Sequence, residues 1–151
     1  MDFLYYLEPG IVFIALVICV IGIISFVISS LSLMKMAQKK NIENAWLAWI
    51  PAGNFFILGK LIKTISIRDK VYENAELILP GAFILYLVVN QVALIGTIAS
   101  LAFSVLVFYS FYGLFKLYAP TKAKKYMILS ILLPGLGASY ALYRIKDIRP
   151  L

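Results

Sequence analysis

Three stretches of the chain are long and uncharged enough to predict transmembrane helices. The first covers residues 10–34 and contains no charged side chain. At 1.5 Å per residue, a helix needs about 20 residues to cross the ~30 Å hydrocarbon core of a bilayer. A second uncharged run covers residues 77–115, which is too long for one crossing. It predicts two helices, residues 77–92 and 94–115, joined by a tight turn at Asn90 and Gln91.

Two shorter apolar segments are each interrupted near the middle. Their sequences are 45-AWLAWIPAGNFFILGKLIK-63 and 126-YMILSILLPGLGASYALYRIK-146. Proline cannot continue a helix through its ring nitrogen, and glycine permits a sharp reversal of the backbone. Each segment is therefore interpreted as a re-entrant or interfacial helical hairpin. The interrupting residues are Pro51 and Gly53 in the first segment, and Pro134, Gly135 and Gly137 in the second.

Composition and charge fix the class of protein and favour one topology. Hydrophobic residues make up 63% of the chain, well above the ~45–50% of soluble domains. The net charge is +7, and the basic residues form short clusters between the apolar runs. If both short segments crossed the membrane, residues 60–70 would place four basic groups outside, against the positive-inside rule. If both dip and return, all 14 Lys and Arg residues lie in the cytoplasm.

These patterns together predict an all-α integral membrane protein with one membrane domain, residues 1–151. It has three long transmembrane helices and two hairpins on the cytoplasmic side. The acidic N-terminus, with Asp2 and Glu8, faces out, and the C-terminus is cytoplasmic. The expected location is the plasma membrane.

Setting Pro51 over Pro134 suggests an internal repeat. In each half, a long helix is followed by a basic link and a broken segment, and 33-LMKMA-37 corresponds to 114-LFKLYA-119. Residues 11–63 and 94–146 would then be parallel repeats, an architecture that occurs among transporters. The alternative is that two apolar hairpins resemble each other by coincidence.

The candidate site residues lie around the two breaks. Trp46 and Trp49 are three residues apart and are expected to anchor the chain at the headgroups, with ligand stacking as the alternative. Asn54 is expected to cap the helix that follows the break. Alternatively, the helix starts near Asn54 and Ser139 direct their positive dipole ends at an anion or polar substrate, as broken helices do in transporters.

Several kinds of chemistry are not expected. The chain has no histidine and one cysteine, Cys19, so neither a zinc site nor an intramolecular disulfide is predicted. No charged side chain falls within a predicted span, and Ser139 stands in no recognised nucleophile motif. We therefore expect no enzymatic activity, no cofactor and no nucleic-acid partner.

The order of these motifs resembles that of small membrane proteins of Gram-positive-type bacteria, for which no activity is known. In them a W-x-x-x-I-P-x-x-N element follows the first span, as Trp46 to Asn54 do here. A second element, L-S-I-x-x-P with a basic end, closes the chain, as Leu129 to Pro134 and Arg144 do. The resemblance implies a bacterial plasma membrane and no particular activity.

The function expected from the sequence is non-enzymatic. The protein would act as a homo-oligomer, as a subunit of a larger membrane complex, or by organising the cytoplasmic leaflet through anionic lipid headgroups. The serines of residues 25–32 are the small residues that let membrane helices approach closely. The alternative is a channel or transport component with a polar path lined by Asn54, Asn90, Thr97, Ser100 and Ser104.

Overall fold

A computed structural model describes residues 9–67 and 70–148, apart from the side chains of residues 67, 93 and 94. The predicted outward orientation of the N-terminus rests on Asp2 and Glu8, which lie outside the described residues. Within the described ranges the fold is helical except for one small β-hairpin. Its core lies where two long helices meet two broken helical hairpins.

Helix α1, Pro9–Lys39, is longer than the predicted span of residues 10–34. Residues 9–24 are exposed throughout, and the buried positions begin at Ser25. Ser25 and Ser30 contact the hairpins of the same chain, and Ser32 is buried as well. The small residues of α1 thus make an intramolecular contact.

The first hairpin, called hairpin 1, consists of a 3-10 helix, Ala45–Trp49, and helix α2, Pro51–Ile62. Only Ile50 separates them, and its backbone is extended (φ −97°, ψ 132°). Pro51 explains both features, because proline disfavours helix at the preceding residue and is well tolerated at the first helical position. A side chain at Gly53 would overlap the carbonyl of Leu47. Glycine therefore lets the two arms pack backbone to backbone.

Strands β1, Ile65–Ile67, and β2, Lys70–Tyr72, form an antiparallel pair after hairpin 1. The sequence pattern predicts no strand here. Helix α3, Ala75–Val89, then packs along α2, where a side chain at Gly59 would lie 2.5 Å from the carbonyl oxygen of Ala75. A turn at residues 90–92 leads into helix α4, Ala93–Tyr118, which ends three residues beyond the predicted span of residues 94–115.

Aromatic side chains hold α2, α3 and α4 together. The ring of Phe55 on α2 lies 5.1 Å from that of Phe83 on α3 and 5.3 Å from that of Phe103 on α4. Tyr86 stacks on Phe103 at 5.2 Å. Such pairs add about 0.5–1.5 kcal/mol each beyond the area that they bury. These contacts attach α3 and α4 to the first half of α2 in hairpin 1.

The second hairpin, hairpin 2, consists of helix α5, Ala123–Leu132, and helix α6, Leu136–Ile145. Its break is wider than that of hairpin 1 and includes Gly135, whose φ of +82° favours glycine. A side chain at Gly137 would overlap the carbonyl of Leu129. The two hairpins therefore correspond at Gly53 and Gly137 rather than at Pro51 and Pro134.

Both hairpins leave and rejoin the same end of α1. Lys40 Nζ donates to the Leu61 carbonyl at the end of α2 (3.1 Å) and lies 5.5 Å from the ring centre of Tyr118, which precedes hairpin 2. Lys39 Nζ donates to the Lys146 carbonyl at the end of α6 (3.1 Å). The tip of hairpin 2 lies beside Ser25, fourteen residues earlier on α1, or about 21 Å at 1.5 Å per residue. The hairpins thus reach about half the length of α1.

Within the described residues, α1 and residues 95–118 of α4 are long and apolar enough to cross a bilayer. Helix α3 has 15 residues, which corresponds to about 22 Å and falls short of the ~30 Å hydrocarbon core. Of the three long helices predicted, two are therefore observed among the described residues, α1 and α4.

Candidate functional site between the hairpin tips

The tips of the two hairpins meet between α1 and α4 around a cavity of about 560 Å³, called here the tip cavity. Its walls come from the middle of α1, the second half of α4 and both breaks. Its lining residues are Ile18, Ile21, Gly22, Ser25, Phe26, Ser29, Pro51, Asn54, Phe55, Val107, Phe108, Phe111, Ser130, Pro134, Gly135, Ala138 and Ser139.

The structure brings together five of the nine candidate residues predicted from the sequence. Pro51, Asn54, Pro134, Gly135 and Ser139 all line the tip cavity. The other four lie elsewhere: Gly53 and Gly137 are buried between hairpin arms, and Trp46 and Trp49 are exposed on the 3-10 helix.

Ser139 ties the tip of hairpin 2 to α1. Its hydroxyl lies 2.8 Å from the Ser25 carbonyl oxygen, 2.7 Å from the Gly135 carbonyl oxygen and 2.9 Å from Ser29 Oγ. A serine hydroxyl has one hydrogen to donate, and both carbonyls can only accept. Ser29 must therefore be the donor in the contact between the two hydroxyls.

Asn54 ties the tip of hairpin 1 to α1, but it does so differently from the prediction. It is the fourth residue of α2, and no side chain caps that helix. Its Nδ2 donates to the Ala48 carbonyl (3.1 Å) and to Ser30 Oγ (3.3 Å). The predicted cap is thus wrong. Pro51 starts the helix too early for Asn54 to reach its first N–H groups, so the amide joins the 3-10 helix to α1.

Ser25 is the unsatisfied polar group of the site. The residue is 6% exposed, and within the described chain its hydroxyl has no hydrogen-bond partner. The Cβ position of a side chain at Gly135 would lie 3.8 Å from Ser25 Oγ. A buried hydroxyl without a partner costs about 1–3 kcal/mol. The lining of the cavity therefore includes a hydrogen-bond donor without a partner.

Two helix starts supply the electrostatics of the tip cavity. Pro51 begins α2, Gly135 precedes α6, and both residues line the cavity. The first N–H groups of a helix lack intrahelical partners, and together they act as roughly +0.5 of a charge. Among the described lining residues none is ionisable. The cavity thus combines partial positive charge, small hydroxyls and apolar walls.

The opposite end of the hairpins is basic, and its lysines bind the ends of helices. Lys39, Lys40 and Lys146 each donate to a carbonyl at the end of α6 or α2. Burial, and secondarily the charge of Lys63, lowers the pKa of Lys40. Hydrogen bonds from Lys146 and Lys39 lower the pKa of the exposed carboxyl of Asp147. These cations therefore offset the negative ends of helices that meet here.

Some residues of the site have roles other than those that the sequence predicts. The sequence predicts Ser25 and Ser29 to be packing residues, although their spacing of four on α1 puts them on one helical face. Phe108 and Phe111 on α4 carried no signal in the sequence. Of the predicted polar path, Asn54 lines the tip cavity, whereas Ser100 bonds to Asn90 near the turn between α3 and α4 (3.3 Å).

Comparison of the chain with models of protein families, with curated proteins and with solved structures gave no match.

Proposed function

We propose that the protein spans the plasma membrane several times and acts without catalysis, by expanding and organising the cytoplasmic leaflet. In this proposal α1, α3 and α4 cross the bilayer, with the N-terminus outside. Both hairpins are re-entrant from the cytoplasm, and the C-terminus is cytoplasmic. A helix as short as α3 is accommodated by local thinning of the bilayer or by snorkelling of its flanking residues.

Exposed apolar surface supports placement in a membrane. Large apolar side chains in the first half of α1 are exposed, among them Phe13 at 67% and Ile18 at 64%. Monomeric soluble proteins rarely leave a continuous apolar surface uncovered. Lipid tails would cover these exposed side chains. A second copy or another membrane protein is the alternative cover.

The observation that carries the proposal is the return of both hairpins to the basic end of α1. That half of the molecule contains four hairpin arms in addition to the long helices, whereas residues 9–24 of α1 are exposed throughout. A shape that is wider in one leaflet favours a membrane in which that leaflet is convex. The basic groups at the wide end would attract anionic lipid headgroups, by about 1 kcal/mol for each residue near the surface.

Cysteine labelling tests the topology. In a Cys19→Ser background, single cysteines replace Ser66 in β1, Ile148 after α6, and Gln91 in the turn between α3 and α4. An impermeant reagent applied to intact cells should label Gln91→Cys alone. Permeabilised cells should show labelling of all three. Labelling of both Gln91→Cys and Ile148→Cys in intact cells would show that hairpin 2 crosses the membrane, and labelling of Ser66→Cys would contradict the proposed topology.

The same variants test the effect on the leaflet. In giant vesicles carrying the protein in both orientations, external dye marks Ile148→Cys only where the basic end is outside, and Gln91→Cys only where it is inside. A nanotube pulled outward has a convex outer leaflet. We expect the Ile148→Cys signal to be enriched in the tube and the Gln91→Cys signal to be depleted. Equal partitioning of the two signals would contradict the proposed shape effect.

The tip cavity favours a second candidate, a channel or transport component. Its support is the meeting of two broken helices at one cavity, about halfway along α1, as in the sites of transporters with discontinuous helices. The measurement is flux of small ions and polar solutes across proteoliposomes, with empty liposomes as control. Leakage no faster than in the control would count against this candidate.

A further inference from the structure

The tip cavity contains a matched pair of free hydrogen-bonding groups on one face of α1. Ser25 carries a hydroxyl without a partner and is 94% buried, because its exposure is 6%. One turn later, Ser29 uses its hydrogen on Ser139 Oγ, which leaves its oxygen lone pairs able to accept. The ligand group that fits this pair both accepts and donates one hydrogen bond.

The charges around this pair narrow the class of ligand. The starts of α2 and α6 favour an oxygen-rich group with negative character. No lysine or arginine is among the described lining residues, so a phosphate dianion would be buried without a counter-charge, at high cost. A carboxyl group avoids that cost because a proton can neutralise it. In its acid form it also offers one donor and one acceptor.

The rest of the lining suits a hydrocarbon chain. Side chains such as Ile18, Phe26, Val107 and Phe111 form the walls. The cavity volume of about 560 Å³ lies within the ~300–1,000 Å³ typical of ligand sites. Ile18 and Ile21, at the end of the cavity near the exposed half of α1, are themselves exposed. A ligand can therefore enter from the hydrocarbon region of the bilayer.

We propose that the tip cavity binds a fatty acid, with its carboxyl group between Ser25, Ser29 and the starts of α2 and α6. The hydrocarbon chain lies along the apolar walls. This inference rests on the membrane placement proposed above, but it does not require any effect on the leaflet. Binding a free fatty acid would attach the two hairpins to α1 through a shared ligand.

Photo-crosslinking with a diazirine analogue of palmitic acid tests the site, using the full chain in phosphatidylcholine nanodiscs. We expect saturable labelling that maps to residues 107–111 of α4 or to Ala138 on α6. Excess palmitic acid should displace it, and methyl palmitate, which lacks the donor and cannot ionise, should do so poorly. Labelling that does not saturate, or equal displacement by acid and ester, would overturn the proposal.

Two variants with matched controls locate the binding group. Ser25→Ala removes only the free hydroxyl and should weaken apparent affinity about 2- to 10-fold, the range for one hydrogen bond. Ser104→Ala, on the exposed surface of α4, should leave it unchanged. Ala138→Leu should fill the cavity and abolish saturable labelling, whereas Ala102→Leu on exposed α4 should not. Unchanged affinity in both cavity variants would reject the site.

The cysteine labelling described above separates the two possible failures. If the topology variants label as expected and crosslinking is not saturable, the fatty-acid site is wrong and the membrane placement stands. If Ser66→Cys or Ile148→Cys is labelled in intact cells, the membrane placement itself is wrong.

Discussion

At the scale of single residues, two glycines determine how closely the arms of each hairpin approach. Gly53 faces the Leu47 carbonyl, and Gly137 faces the Leu129 carbonyl, at distances that leave no room for a Cβ atom. The obstructing atoms belong to the backbone, so no rotation of a side chain can relieve the overlap. The corresponding glycines fix the hairpin geometry more directly than the prolines do.

Gly137→Ala should therefore destabilise the protein by about 1–3 kcal/mol, the usual cost of overpacking a close contact. The matched control is Gly22→Ala, since a Cβ atom at Gly22 meets nothing within 4 Å. That control should shift stability by no more than about 0.5 kcal/mol, or raise it slightly through helix propensity. Thermal unfolding in detergent measures both variants. A Gly137→Ala protein as stable as the control would contradict the close packing.

The pKa of Lys40 provides a second test on this scale. Burial is the main cause of its lowering from 10.5, and the charge of Lys63 adds to it. A lowered lysine pKa means that the fold disfavours the protonated amine. Lys40 therefore costs stability below the folded pKa, and this cost disappears as the pH rises to the unfolded value.

Lys63→Gln should accordingly raise the pKa of Lys40 without restoring it to 10.5, because burial remains. The measurement is an NMR titration of methylated lysines, with Lys40→Arg assigning the signal. Lys70→Gln, in β2, is the control that leaves Lys63 in place. An unmoved Lys40 pKa in Lys63→Gln would show that the two amines do not interact.

At the scale of elements, the sequence predicted the features that depend on neighbouring residues alone, which are breaks and turns. Pro51 placed a break, and the polar pair Asn90 and Gln91 placed the turn between α3 and α4. The role of Asn54 depends on register: with Pro51 as first helical residue, its amide faces the Ala48 carbonyl across the break. The strands β1 and β2 have three residues each, too few for a detectable alternation.

No local sequence pattern predicted that the hairpin tips meet, because this contact joins residues far apart in the chain. Ser139 finds its partners more than 100 positions away, on α1. Helix α1 contacts its own hairpin and α6, and α4 contacts its own hairpin and α2. The repeat itself stays a prediction.

The two tryptophans test how hairpin 1 enters the membrane. Trp46 and Trp49 are the chain's only tryptophans, and both are exposed on the 3-10 helix, at 58% and 40%. Three residues of 3-10 helix rise about 6 Å. In a re-entrant hairpin, Trp49 should therefore lie deeper than Trp46, whereas in a helix lying flat at the interface the two depths would be equal.

Fluorescence quenching by lipids brominated at different depths measures this difference in the single-tryptophan variants Trp46→Phe and Trp49→Phe. We expect Trp49, observed in Trp46→Phe, to be quenched more strongly by bromines farther from the headgroup. Equal depth profiles in the two variants would indicate an interfacial helix instead of a dip.

At the scale of the whole molecule, the two halves of α1 have different surroundings. Residues 9–24 have no buried position, whereas Ser25, Ser30, Leu33 and Met36 pack against the hairpins. Of the small residues of α1 that would serve a contact between copies, Ser25, Ser30 and Ser32 are buried within the chain, whereas Gly22 is exposed. A bilayer is therefore the simplest cover for the first half of α1, and an oligomer would need to use its large apolar side chains.

Spin labels along α1 distinguish these two covers. A label scan in proteoliposomes measures the accessibility of each position to oxygen, which concentrates among lipid tails. If lipid surrounds the first half, residues 11–24 should be uniformly accessible, and residues 25–37 should show a 3.6-residue period because one face packs on the hairpins. A second copy or another membrane protein would shield one face and extend that period into residues 11–24. A periodic profile in residues 11–24 would show that the protein acts as part of an assembly. A flat profile would indicate that a single chain expands the cytoplasmic leaflet.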